Sequence, residues 1–205
     1  MDTSEVLPVN HHADHPGFSG VTAVLPALLF LVIGRSNARL AVELAGVSKN
    51  DRVVDIGCGP GNAVREAARR GARATGVDPS AVFLRIARAI SREPSHTAWV
   101  AGTAENVPLP DGSATIVWSL ATVHHWKDVG RGLAEAHRVL EPGGRLLAVE
   151  RRSQPGATGL ASHGWTQQQA ESFAAQCRTA GFGDVTIDQH ATGRRNVWAV
   201  SATRR

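Results

Sequence analysis

The chain has 205 residues, enough for one domain with a sizeable core and no need of staples. With 42% hydrophobic and 20% charged residues it is neither disordered nor fibrous, and its two distant cysteines form no CxxC pair, which excludes a disulfide framework or zinc knuckle and points to a reducing, cytoplasmic setting. The net charge of +4 reflects scattered arginines, several of them in pairs, rather than a basic patch interleaved with aromatics, so a nucleic-acid partner is not indicated.

The first segment, NHHADHPGF, clusters His11, His12 and His15 and reads as a flexible N-terminal arm. The apolar run VTAVLPALLFLVIG (21–34) follows. It falls short of the about 20 residues a membrane span needs, contains Pro26 and is followed by Arg35. No basic stretch precedes it and no small-residue cleavage site follows, so it predicts a helix buried against the domain rather than a transmembrane span or a signal peptide. Peripheral contact of this segment with a membrane stays open. Residues 1–47 together read as an N-terminal helical cap, and 48–205 as the core.

From residue 50 short apolar runs alternate with helical patterns. RVVDI (52–56), ARATGVD (72–78), TAWVAG (97–102), ATIVWSL (114–120) and RLLAVE (145–150) predict five parallel strands. Between them NAVREAARR, PSAVFLRIARAIS and VGRGLAEAHRVL carry apolar residues at helical spacing; Asp128 caps the third, and EPGG ends it. A last helix opens on a Thr166 to Gln169 capping box, buries Ala170, Phe173, Ala174 and Cys177, and stops at Gly181. DVTIDQH and NVWAVSA then form an antiparallel pair. The expected fold is α/β, a Rossmann-like doubly wound open sheet, in which ligands bind beyond the carboxyl ends of the strands.

The loop after the first strand, VVDIGCGPGN, places Gly57, Gly59 and Gly61 between a strand and a helix, where backbone amides approach a ligand closely. The third glycine of a dinucleotide fingerprint would fall at Asn62, which disfavours a nicotinamide enzyme. Asp55, two residues before Gly57, is a carboxylate that needs a cationic or donating partner; an ammonium group on a ligand would serve, and bonding to loop amides is the structural alternative. Asp78, at the end of the second strand, can accept both hydroxyls of a ribose. Cys58 has no activating neighbour and reads as a small space-filler.

With VVDIGCGPG, GVDPS, GTAENVPLPDGSATIVWS and RVLEPGGRLLAVE at these spacings, residues 50–203 resemble the class I S-adenosylmethionine-dependent methyltransferases, and among them the small-molecule branch similar to the quinone-biosynthesis C-methyltransferases. The resemblance implies a seven-stranded sheet, mostly parallel with the last strand antiparallel, and S-adenosyl-L-methionine as cofactor with S-adenosyl-L-homocysteine as product. It implies that Gly57, Cys58 and Gly59 line the methionine part, with Asp55 near its amino group. Asp78 would hold the ribose, Pro79 would lie beside the adenine, Thr103, Ala104 and Glu105 would edge it, and Ser119 and Leu120 would face the sulfonium; for Glu105 a solvated loop position is the alternative.

Methyl transfer from a sulfonium is chiefly a matter of alignment, and a base is needed only where the acceptor must lose a proton. His124, in VHHW after the fourth strand, either positions the acceptor and removes its proton or is a loop histidine bonded to backbone. His125 reads as structural and Trp126 as an anchor for the next helix. No metal is expected, because adjacent residues rarely converge on one ion and no third ligand is close in sequence. The chain has SLAT where amino-methylating nucleic-acid enzymes of this fold carry an (N/D)PP(Y/F) tetrad, and RRSQPGATGLASHGW is too short for an inserted substrate domain. The expected partner is therefore a small, apolar methyl acceptor held between the cap and the loops of His124 and Arg151, with His15 and Phe18 of the arm as further substrate candidates. A non-catalytic cofactor-binding protein and a protein or RNA methyltransferase are the alternatives, and both monomer and homodimer stay open.

Overall fold

The computed structural model describes residues 8–13, 24–92, 95–193 and 195–205, the side chains of 24–33 and 160 excepted. Strands β1 (Arg52–Ile56), β2 (Arg73–Asp78), β3 (Thr97–Ala101), β4 (Ala114–Leu120) and β5 (Leu140–Arg151) are parallel. Strands β6 (Phe182–Thr192) and β7 (Arg195–Arg204) complete a seven-stranded sheet of order β3-β2-β1-β4-β5-β7-β6. Only β7, inserted between β5 and β6 and antiparallel to both, runs against the rest. The order turns around between β1 and β4, and that reversal opens a crevice at their carboxyl ends.

Successive strand residues point to opposite faces, so neighbours such as Val53 and Val54, or Leu146 and Leu147, enter different cores. One core takes Leu133 and Ala136 of α4 (Val129–Val139) with Ala170, Phe173 and Cys177 of α5 (Gln167–Thr179). The other takes Ala38, Ala41 and Val42 of α1 (Val24–Leu44), Val64 and Ala67 of α2 (Asn62–Arg69), and Leu84 and Ala87 of α3 (Ala81–Ile90). The expected caps form: Asp128 accepts the Arg131 N–H at 3.0 Å, and Thr166 and Gln169 make the reciprocal box.

Three expectations are corrected. The helix foreseen over the apolar run continues through RSNARLAVEL to Leu44, because Ala38, Ala41, Val42 and Ala45 keep a helical stripe that packs on α2 and the sheet. The EPGG stretch ends α4 but lies within β5: Leu140 already pairs with Ala114, whereas Ile116 pairs with Arg145, so Glu141–Gly144 form an outward excursion, with Glu141 paired to Arg52 of β1. The arm is not loose over residues 8–13. Trp165 Nε1 donates to the Val9 carbonyl at 3.0 Å, Asn10 Nδ2 to the Trp126 carbonyl at 2.9 Å, and His12 N to the His124 carbonyl at 3.0 Å. Among the described residues, no helix is long and apolar enough to cross a membrane.

Candidate active site

Strand β1 leaves the sheet through Gly57, whose φ of 78° lies in the left-handed region. A Cβ here would stand 2.6 Å from Thr122 Oγ1, so the residue must be glycine for the β1 and β4 exits to touch. The N–H groups of Gly57 and Cys58 donate to the Val77 carbonyl at 2.8 and 3.1 Å, tying the loop to β2. From inside, Arg65 donates to the Pro60 carbonyl at 2.6 Å and to Asn62 Oδ1 at 2.9 Å. Burial pushes the Cys58 thiol well above its ordinary value, consistent with a space-filler.

Two carboxylates face this loop. Asp55 is 2% exposed, and burial, reinforced by the charge of Asp78, raises its pKa to about 7. Among the described residues it forms no ion pair. Trp118, its register partner on β4, pulls the other way with an indole N–H that lies near Asp55 but outside hydrogen-bonding geometry, and that donor is buried without a partner. Asp78 is buried too; desolvation raises its pKa, although Gly59 N and Ser80 N each donate to it at 2.8 Å. A buried carboxylate without an ion-pair partner is what a ligand carrying an ammonium would complete.

Of the residues expected beside the adenine, Pro79 and Thr103 are exposed at the rim and Ala104 is buried. Glu105 Oε1 accepts from Lys127 N at 2.7 Å and Asp128 N at 3.2 Å, so it holds the turn into α4, a use that neither expectation contained.

On the other side of Gly57, Ser119 Oγ and Thr122 Oγ1 lie 2.5 Å apart, and Thr122 donates on to the Ile56 carbonyl at 3.1 Å. Leu120 is half-buried beside them. A 3₁₀ turn, Val123–His125, then carries the paired histidines. His124 is 3% exposed, and its Nδ1 lies 2.9 Å from Glu150 Oε2 at the end of β5. Glu150 is fully buried and also accepts the Val123 N–H at 2.9 Å. Since the carboxylate accepts, His124 donates from Nδ1, and in the neutral ring Nε2 is the nitrogen left as a base or ligand. His125 lies against the arm, and desolvation, then His124, lowers its pKa to about 4. Trp126 packs over Gly132 of α4, as expected of an anchor. Arg151 is half-buried and stands apart, in a cleft of about 330 Å³ with Arg152, Gln154, Arg195 and Asn196. His15 and Phe18 lie outside the described residues.

A family model described as a methyltransferase domain matches residues 54–148, the stretch from β1 to β5 that builds this crevice. The demethylmenaquinone methyltransferase of Tropheryma whipplei is 35% identical over 112 residues, covering 55% of this chain and 46% of that protein. The 27-O-demethylrifamycin SV methyltransferase of Amycolatopsis mediterranei is 32% identical over 159 residues, 74% of this chain and 55% of that protein. The chain thus spans about half the length of these curated relatives. Among solved structures, the cyclase SpnF superposes with a TM-score of 0.72 at 18% identity over 89% of this chain and 92% of that one, a likeness of fold. Residues 54–148, just under half of the chain, thus match a methyltransferase domain, and the seven-stranded sheet has the fold of the class I S-adenosylmethionine-dependent methyltransferases. The cofactor of that fold family is S-adenosylmethionine and its product S-adenosylhomocysteine, and the buried Asp55 carboxylate, with no ion pair among the described residues, fits the ammonium of its amino-acid end.

Thr122, Arg65, Glu150 and His163 were not among the residues that the sequence singled out. Glu150 carried a usable signal: like Asp55, it is an acid on the last inward position of a buried strand, where it needs a partner. Thr122, Arg65 and His163 carried none, since their roles arise from contacts across the fold.

Proposed function

We propose that the protein transfers a methyl group from S-adenosylmethionine to a small, largely apolar acceptor by in-line displacement. One arrangement carries the reading: the buried Glu150 carboxylate holds His124, two residues beyond the Thr122 that covers the glycine loop, in the tautomer that leaves Nε2 unprotonated. Bound in the crevice, the cofactor supplies a methyl already activated on a sulfonium. The chain's own part is alignment and proton handling. Asp55 receives the ammonium, Gly57, Cys58 and Gly59 lie along the methionine part, and Asp78 accepts the ribose hydroxyls. Pro79, Thr103 and Ala104 border the adenine, with the second oxygen of Glu105. Ser119 and Leu120 flank the sulfonium, and His124 Nε2 accepts the acceptor's proton as the new bond forms. Residues 1–47 serve as the cover over the acceptor and 48–205 as the core, in a cytoplasmic setting that the two free cysteines, both buried, support. The resemblance to menaquinone and rifamycin methyltransferases supports a hydroxylated or enolisable ring as acceptor class.

The test is turnover of His124→Ala, read as S-adenosylhomocysteine formed with phenolic and quinol acceptors. The rate should fall about 10² to 10⁴-fold, the range of a lost general base, at unchanged cofactor affinity. Wild-type turnover in that variant would leave His124 a structural residue.

A further inference from the structure

Folding gathers histidines around His124 that are far apart in sequence. His163, on the loop between β5 and α5, reaches the paired histidines of the 3₁₀ turn, and one potential ligand atom from each of His124, His125 and His163 lies within 4.8 Å of the others. The ring centroids of His124 and His125 are only 4.2 Å apart, so these adjacent residues do converge. From the geometry we infer that His124, His125 and His163 form a binding site for a divalent transition-metal ion, of the zinc or cobalt type, at the lip of the acceptor side.

Three observations support the assignment. The first is the ligand set: three imidazoles suit zinc, cobalt, nickel or copper, and three protein ligands with a further position for solvent or substrate is the pattern of open metal sites. The nitrogens of a tetrahedral zinc site stand about 3.4 Å apart at zinc–nitrogen bonds of about 2.1 Å, a closure within reach of small ring rotations. The second is the outer support. His124 Nδ1 lies 2.9 Å from the Glu150 carboxylate and His125 Nδ1 3.3 Å from the His12 carbonyl; both acceptors require an N–H, so in the neutral rings Nε2 is the nitrogen left to ligate an ion. The third is the rigidity of the frame. The His12 ring stacks on His163 at 4.2 Å and 12°. Next to His163, Gly164 (φ 147°) brings the chain so close to β5 that a Cβ would stand 2.1 Å from the Arg151 carbonyl, and the wholly buried Trp165 donates its backbone N–H to that carbonyl at 2.8 Å. His11 adds no ligand: its Nε2 lies 2.8 Å from the Ser162 carbonyl, and its Nδ1 accepts from Gln169 Nε2 at 3.0 Å. His125 leaves one side of the cluster open to solvent, which gives an ion a way in.

The site goes beyond the methyl-transfer reading but uses the same tautomer of His124. Without an ion, Nε2 is a base; with one, it is a ligand, and an acceptor oxygen on the open position would be acidified by the metal instead. The experiment is titration of untagged, chelator-treated full-length protein with Co²⁺, followed by its visible absorption, and with Zn²⁺ by calorimetry. One equivalent of Co²⁺ should bind with a low-symmetry spectrum that one equivalent of Zn²⁺ removes. His163→Ala, on a half-exposed loop position, should weaken binding at least about 100-fold with unchanged circular dichroism, and Glu150→Gln about 10- to 100-fold. Absence of saturable binding by the wild type would overturn the site whatever the variants do, as would undiminished binding by His163→Ala. Neither cofactor nor acceptor enters the titration, so its failure is separable from a failure of the methyl-transfer reading.

Discussion

At the scale of single residues, Asp55 sets a cost that the ammonium of the proposed cofactor would relieve. In the unfolded chain it ionises near 3.8, and in the folded, cofactor-free protein near 7. An acid whose folded pKa is raised takes stability away as pH climbs between those values, here roughly 4 kcal/mol by about pH 7. Asp55→Asn should therefore stabilise the cofactor-free protein at pH 8 by about 1–3 kcal/mol in urea unfolding, while weakening cofactor binding more than about tenfold. Destabilisation at pH 8 would instead assign Asp55 a structural role. Because the ammonium favours the ionised carboxylate, cofactor binding near pH 7 should release a proton, and affinity should fall as pH drops below 7. Calorimetry in two buffers of different ionisation heat reads that proton. Glu150 acts through another residue. Glu150→Gln keeps the shape and the acceptor for Val123 N but can present an amide to His124, so kcat should drop about 10²-fold or more with cofactor affinity unchanged. Nitrogen NMR of the His124 ring should show the proton move off Nδ1, a change that a merely structural glutamate would not produce.

At the scale of elements, the segment 8–13 acts as a strap. Its bonds run to Trp165, Trp126, His124 and Gln169, so it joins the histidine turn to the start of α5, and its own Val9 is buried in the core. At about 1 kcal/mol for each of four hydrogen bonds, partly offset by the ordering of the segment, removing residues 1–13 should lower stability by about 2–4 kcal/mol. If the acceptor lies beside His124 as proposed, it should reduce turnover far more than cofactor affinity, because the bonds reach the histidine turn and not the glycine loop. Equal losses of both, measured by initial rates and calorimetry, would show that the strap supports the whole crevice. The sequence marks the strap poorly. NHHADHPGF has no helical or strand period, and its partners lie more than 100 residues away, whereas the α5 cap was legible because Thr166 and Gln169 are only three residues apart.

At the scale of the molecule, Trp165 ties together parts that the sequence keeps separate. Its indole reaches the Val9 carbonyl, its own carbonyl accepts Trp198 Nε1 of β7 at 3.1 Å, and its ring packs on Phe173 with centroids 4.8 Å apart. Trp165→Ala should cost about 3–5 kcal/mol by chemical denaturation, at the upper end for a core truncation, and should loosen the loop that carries His163. A loss below about 1 kcal/mol would mean that the arm and β7 hold this corner without it.

The strands and helices along the chain, the closing antiparallel pair and the glycine loop were legible in the sequence because each is written locally, in periods of two or 3.6 and in the residues next to a turn, whereas the strand order is set by the tertiary fold. Asp55 could be singled out for the same reason: a carboxylate at the end of an apolar strand is an anomaly visible without coordinates. What the tertiary structure alone decided is which side chains meet at the carboxyl edge. Glu150 reaches His124 because β4 and β5 are neighbours in register, with Leu120 beside Val149. His163 reaches the same place because Trp165 pins its loop to the end of β5. Local preference carries the backbone pattern, but such meetings depend on burial and packing between segments far apart in the chain, which no single stretch of sequence encodes.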